Sequence, residues 1–271
     1  MKPLKRAVTF VFFSLALANC AKKPADPEAA KDSFLALNGS DTITLGAQTK
    51  MQMVFITPGS FTMGSPPDEK GRFTNEGQVE VTLSEPFWLS KTEVTQSQWD
   101  AVMGSNPSLL KGSNLPVAYV SWEDAKAYIT KLNEKGLLPE GWEFALPTEA
   151  QWEFACRAGG KEPYSGGSLD EVGWYNDNNE TQPHEVGLKK PNAWGLYDMH
   201  GNAWEWCADW YDEALKGGND PSGPSSGGFR VCRGGSYILG EEHCRAARRD
   251  GFDAGLRNGF QGFRLALVPT S

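Results

Sequence analysis

The side chains able to do chemistry in this chain are few and unevenly placed. Cys20 stands alone near the start, and Cys156, Cys207, Cys232 and Cys244 all fall in the second half. Four thiols permit three disulfide pairings. In an oxidising compartment, paired or simply buried sulfurs are expected ahead of a reactive thiolate. His184, His200 and His243 show neither the HxxxH nor the HExxH spacing that would set two imidazoles on one helical face for zinc or iron. Arg230, Arg233, Arg245, Arg248, Arg249, Arg257 and Arg264 crowd the C-terminal end. Their guanidinium forks could grip an anionic ligand or peptide carboxylates. Pairing with Glu149, Glu153, Glu205 and Asp209 inside the fold is the expectation for most of them, because a buried carboxylate needs a partner. Adjacent Arg248 and Arg249 cannot both face inward easily. No P-loop, dinucleotide fingerprint or nucleophile elbow is present. The formal net charge of -8 excludes nucleic acid as an expected partner, since neutralising phosphates needs a basic surface.

The elements that must position these groups begin after an address. Lys2, Lys5 and Arg6 precede an apolar stretch, residues 7–18, that is too short to span a bilayer, the pattern of a signal peptide over residues 1–19. Leu17-Ala18-Asn19-Cys20 resembles a lipobox, with lipid carried on Cys20. Residues 20–50, rich in Lys, Asp, Glu, Ala and Pro, read as a flexible tether, and residues 51–271 as the folded domain. Within it, residues 51–56 and 79–83 read as strands. Thr95 with Gln98, Ser121 with Asp124, and Thr148 with Gln151 read as capping boxes that start three helices. Ala125, Tyr128, Ile129 and Leu132 make one apolar stripe on the second of these, which Asn133 and Gly136 stop. From Gly159 onward, Gly, Asn, Asp, Pro and Ser dominate between short aromatic segments, which predicts loops pinned by Trp and Arg.

Six stretches occur together in order. They are Phe61-Thr62-Met63-Gly64-Ser65, Glu93-Val94-Thr95, residues 146–153 (LPTEAQWE), residues 195–206 (GLYDMHGNAWEW), Arg233-Gly234-Gly235-Ser236, and Gly262-Phe263-Arg264. Together they make the chain resemble the sulfatase-modifying-factor (formylglycine-generating enzyme) family. The resemblance implies an α+β, irregular, loop-rich fold of the C-type-lectin-like kind. It also implies calcium held at Asp198, Gly201, Ala203 and Glu205 by side-chain and backbone oxygens, a donor set that suits a hard cation. A second family calcium position falls on Gly187, where an Asp would be needed.

Family oxidases hold Cu(I) between two cysteines after the Gly-Gly-Ser turn, and soft thiolates suit that ion. Here the second copper position falls on Cys244 and the first on Leu239, so copper is not expected. Neither Cys232 nor His243 is expected to replace the missing thiol. The family's oxygen and substrate cleft corresponds to Trp204 and Ser236, which with Cys244 are the catalytic candidates. Each also has a packing role open to it, Trp204 as a core aromatic and Ser236 as a turn residue. The expectation is an exported, calcium-braced binding or scaffold domain at the cell envelope. Its partner would be an envelope protein, peptide or glycan, and its contact with the membrane would be through a lipid anchor only. It would be periplasmic or on the cell surface, or secreted if unlipidated. The alternative is a formylglycine-generating oxidase, or a tailoring enzyme for an exported metabolite.

Overall fold

The computed structural model describes residues 26–38, 41–46 and 48–270. The signal segment and Cys20 lie outside the described residues. No helix among the described residues is long and apolar enough to cross a membrane.

The fold starts earlier than composition predicts. Helix α1 (Pro27–Asn38) lies in the stretch expected to be tether. Its Phe34 is fully buried, with its ring centroid 4.2 Å from that of Trp88. Strand Thr42–Thr44 then pairs antiparallel with Lys50–Ile56, and Ile43 and Leu45 are buried with it. A boundary at residue 51 is therefore corrected. A few apolar side chains at the right spacing recruit a segment whose average composition is that of a solvated chain.

Three of the helices start at the expected capping boxes. In α2 (Gln96–Met103), α3 (Trp122–Asn133) and α4 (Glu149–Arg157), the Thr95, Ser121 and Thr148 hydroxyls accept from the backbone N–H three residues on, and the side chains of Gln98, Asp124 and Gln151 accept in return. These contacts satisfy amides that a helix start leaves open. The stripe Ala125, Tyr128, Ile129 and Leu132 is buried, as the periodicity predicts. Asn133, at the end of α3, bonds both backbone groups of Phe144, donating to its carbonyl at 3.0 Å and accepting from its N–H at 2.8 Å. A short helix, α5 (Leu169–Val172), completes the set.

A five-stranded sheet has the order Thr42–Thr44, Lys50–Ile56, Phe87–Ser90, Ala266–Pro269, Trp142–Ala145. A three-stranded sheet is built on Gly59–Met63 and Val79–Leu83. The C-terminal half, predicted as loops, contributes a four-stranded sheet: Arg249–Phe252, Arg230–Arg233, Trp204–Trp210 and Gln261–Gly262. Long loops still connect these strands, and the α+β, loop-rich character is as expected. Strand Trp204–Trp210 divides the interior. Trp204 and Trp206 pack into a core with Trp88, Trp99, Tyr128 and Phe263, and Cys207 into a second with Trp152, Phe154 and Met199.

Candidate functional site

Short loops meet at Asn202, which sits in the left-handed region with φ 58° and is 1% exposed. Its N–H donates to Trp174 O at 2.8 Å, its carbonyl accepts from Tyr237 N at 3.0 Å, and its Oδ1 accepts from His184 N at 3.0 Å. Its Nδ2 donates to Glu93 Oε1 at 3.0 Å. Trp174 and His184 stack beside it with ring centroids 3.7 Å apart. Gly201 permits this convergence: a Cβ there would lie 2.0 Å from Trp174 O, and its φ is 98°.

Beneath Asn202 lies a cluster of buried charge. Glu93, Asp198 and Glu205 are all at most 1% exposed, and one guanidinium, Arg264, serves them. Arg264 grips Glu205 through Nε to Oε2 and Nη2 to Oε1, both at 2.6 Å, and Trp152 Nε1 donates to Oε2 at 2.6 Å. Glu205 is thus held in an internal ion pair. Asp198 Oδ2 accepts from Gly187 N at 2.7 Å, while its Oδ1 and the Oε2 of Glu93 have no hydrogen-bond partner. Burial pushes the Asp198 carboxyl up to about 6 and that of Glu93 well above the usual carboxylate range. Ala203 is buried just before the strand that carries Glu205. Among the described residues, no three His, Cys, Asp or Glu side chains converge as a metal cage.

The Gly-Gly-Ser turn forms the other side of the region. Gly235 has φ 75°, and a Cβ on it would meet His243 O at 2.5 Å and Cys244 Sγ at 2.9 Å. The turn thus brings the Ser236 backbone beside the Cys244 thiol. Ser236 is fully buried and its Oγ is unpartnered. Burial pushes the Cys244 thiol up to about 12, the opposite of a poised thiolate. Leu239 packs against the first core, Cys232 is buried in that core with Gln261 Nε2 donating to its sulfur at 3.4 Å, and His243 Nδ1 accepts from Arg248. None of them supplies Cys244 with a copper partner, so the residues present do not fit a Cu(I) pair. Trp204 is a core aromatic, edge-on to Phe252.

All four described cysteines are buried, unpaired thiols. The arginines pair internally for the most part: Arg233 with Glu153, Arg245 with Glu76, Arg249 with Glu149, Arg264 with Glu205. Arg248 and Arg249 are both buried, contrary to expectation, because Arg248 turns to Asp250 and the face of Phe73 while Arg249 turns to Glu149. Arg230 lies between the faces of Trp122 and Trp210, at 3.7 and 3.4 Å. Sequence reasoning gave Glu93, Asn202, His184 and His200 no role. His200 Nδ1 donates to Cys244 O at 2.8 Å and its Nε2 accepts from Ser165, and burial lowers it to about 4. Only their positions inside the matched motifs and the isolated His184 could have marked them.

A family profile described as "Sulfatase-modifying factor enzyme 1-like domain" matches residues 41–268. The formylglycine-generating enzyme of Thermomonospora curvata is 34% identical over 215 residues, which is 70% of this chain and 66% of that protein. The chaperone protein LppX of Paenibacillus barcinonensis is 32% identical over 237 residues, 68% of this chain and 81% of that protein. The solved structure of Treponema denticola variable protein 1 superposes with a TM-score of 0.77 at 32% identity, covering 84% of this chain and 98% of that one. PvdO from Pseudomonas aeruginosa superposes with a TM-score of 0.74 at 27% identity, also over 84% of this chain and 98% of that one. The chain spans 66% of the Thermomonospora enzyme and 54% of the formylglycine-generating enzyme of Mus musculus. With the profile covering nearly all of its described residues, the chain belongs to the sulfatase-modifying factor enzyme 1-like domain family.

Proposed function

We propose that this protein is an exported, calcium-braced binding or scaffold domain of the cell envelope rather than a copper-dependent cysteine oxidase. The observation that carries the reading is the Cys244 environment: a fully buried thiol with its proton held tightly and a leucine, Leu239, where the partner sulfur would stand. A pair of thiolates is what Cu(I) chemistry requires of the protein.

Calcium is supported by the uncompensated acids. Two buried carboxylates with one orphaned oxygen each fit a hard divalent cation, which would rest on Asp198 and Glu93 with backbone oxygens of the Gly201 and Ala203 segment completing the shell. Glu205 would act from behind, through its pair with Arg264. The basic start, the apolar run and the lipobox-like Cys20 support export and anchoring. The chaperone-named relative supports a role in binding another protein.

The test is mass spectrometry of a Cys-x-Pro-x-Arg sulfatase peptide incubated with the purified protein, Cu(I) and oxygen, with Cys244→Ser alongside. No aldehyde is expected. Aldehyde that vanishes in Cys244→Ser would establish the oxidase instead, a reading favoured by the relatives named formylglycine-generating enzyme and by the unpartnered Ser236 Oγ beside Cys244. Cys20→Ser is expected to release the protein from membranes, and continued membrane association would remove the anchor.

A further inference from the structure

Two depressions run into one another beside strand Lys50–Ile56. One encloses about 590 Å3 and is bordered by Gln48, Lys50, Gln52, Lys91, Asn114 and Tyr197, among others. The other encloses about 640 Å3 and reaches past α2 to Asp100 and Lys111. Thr49 and Ser97 line both, so together they form one groove.

The lining is chemically one-sided. The first depression presents hydroxyls, carboxamides, two ammonium groups and one phenol ring, and no carboxylate among the described residues borders it. That is unusual for a chain with a net charge of -8. Among the described residues Lys50 and Lys91 have no ion-pair partner, and Lys91 Nζ stands 5.4 Å from the centroid of the Tyr197 ring. Gln48, Gln52 and Asn114 are exposed on its rim. Nothing in this lining offers the deep apolar pocket in which a protein partner's anchoring residue would sit. It suits a ligand with many hydroxyls and intermittent negative charge.

The groove floor is tied to the interior by hydrogen bonds. Arg264, already locked to Glu205, donates to Ser90 O at 3.1 Å and to Tyr197 O at 3.0 Å, and Tyr197 N donates to Lys91 O at 2.9 Å. Gly187, on the wall, hangs from Asp198 by its N–H. A wall fixed in advance spares the ordering cost of binding.

We infer that this groove binds an acidic polysaccharide, with Lys50 and Lys91 meeting its carboxylates and Gln48, Gln52 and Asn114 its hydroxyls. The inference rests on the binding-domain reading above and gives that reading a surface and a ligand class.

The experiment is calorimetric titration of the purified protein with a hexameric oligouronate, a neutral hexameric glucan and a polyglutamate peptide, at low and high salt. Oligouronate should bind and weaken with salt. The neutral glucan should bind at least about tenfold more weakly, and the double variant Lys50→Gln, Lys91→Gln should lose about tenfold, as two charge contacts open to solvent imply. Lys161→Gln, on a different face, should bind as the parent does. No heat with oligouronate at millimolar concentration, equal binding of the neutral glucan, or equal binding of polyglutamate would each overturn the proposal. A protein that forms no aldehyde yet ignores oligouronate loses the groove and keeps the binding-domain reading. Aldehyde formation removes that reading itself.

Discussion

Replacing Asp198 with Asn separates calcium bracing from ordinary packing, because the two accounts predict opposite signs in chelator. Asn keeps an oxygen for the Gly187 N–H but removes one of the two charges that Arg264 does not neutralise. With a divalent cation present at about a hundredfold over its dissociation constant, the native state gains roughly 2.7 kcal/mol. For a domain of this size, that is about 5–10 °C in melting temperature. In chelator, two like charges in contact at an effective dielectric of about 20 repel by up to roughly 4 kcal/mol. The metal-free protein avoids part of this by keeping Asp198 and Glu93 partly protonated. Wild type should therefore gain about 5–10 °C from calcium that Asp198→Asn does not gain, and should melt at or below Asp198→Asn in chelator. Differential scanning fluorimetry of both proteins at neutral pH, with calcium and with chelator, reads the crossing. Parallel curves with no calcium response in either protein would refute the argument.

Three further outcomes follow from the same geometry. Glu205→Gln strands a fully buried Arg264 and should cost about 3–5 kcal/mol by urea titration in calcium and in chelator alike. A loss seen only in calcium would make Glu205 a ligand. Asp209, whose Oδ2 accepts from Glu149 N at 2.8 Å, is raised by burial and by the Glu149 charge to about 7. A carboxyl raised above its unfolded value contributes stability at low pH that is lost as pH rises through the folded value. Wild type should thus lose on the order of 2–3 kcal/mol more than Asp209→Asn between about pH 5 and pH 8, and equal slopes in urea melts across that window would defeat the assignment. Cys156, Cys207, Cys232 and Cys244 should resist a thiol reagent in the native protein and all react on unfolding, with rapid native labelling of Cys244 as the contrary result.

What could be read from sequence was what is decided locally. The capping boxes at Thr95, Ser121 and Thr148 and the stripe on α3 need only residues within a few positions of each other, and all formed as expected. The C-terminal sheet was missed because strands such as Arg230–Arg233 and Arg249–Phe252 are only four residues long and carry Arg and Asp whose pairing depends on partners elsewhere in the chain. Helix α1 was missed because its burial hangs on Phe34, a signal that composition averages away. At the site, Asp198 was found through its motif. Its neighbour Glu93 lies 105 positions earlier and becomes its partner only when Asn202 draws the loops together. The internal use of Glu205 depends on Arg264, 59 positions away.

Asn202 also bears on how this fold can change. The segments carrying His184, Trp174 and Tyr237 all share a hydrogen bond with the same small residue, His184 and Tyr237 donating to it and Trp174 accepting from it, so one common anchor helps fix their inner ends. A tip can then lengthen, shorten or exchange its residues without altering where its neighbours begin, since surface loop length costs little in stability. Change is absorbed outward while the interior stays as it is. A single buried amide thus makes the outer face of this domain open to variation.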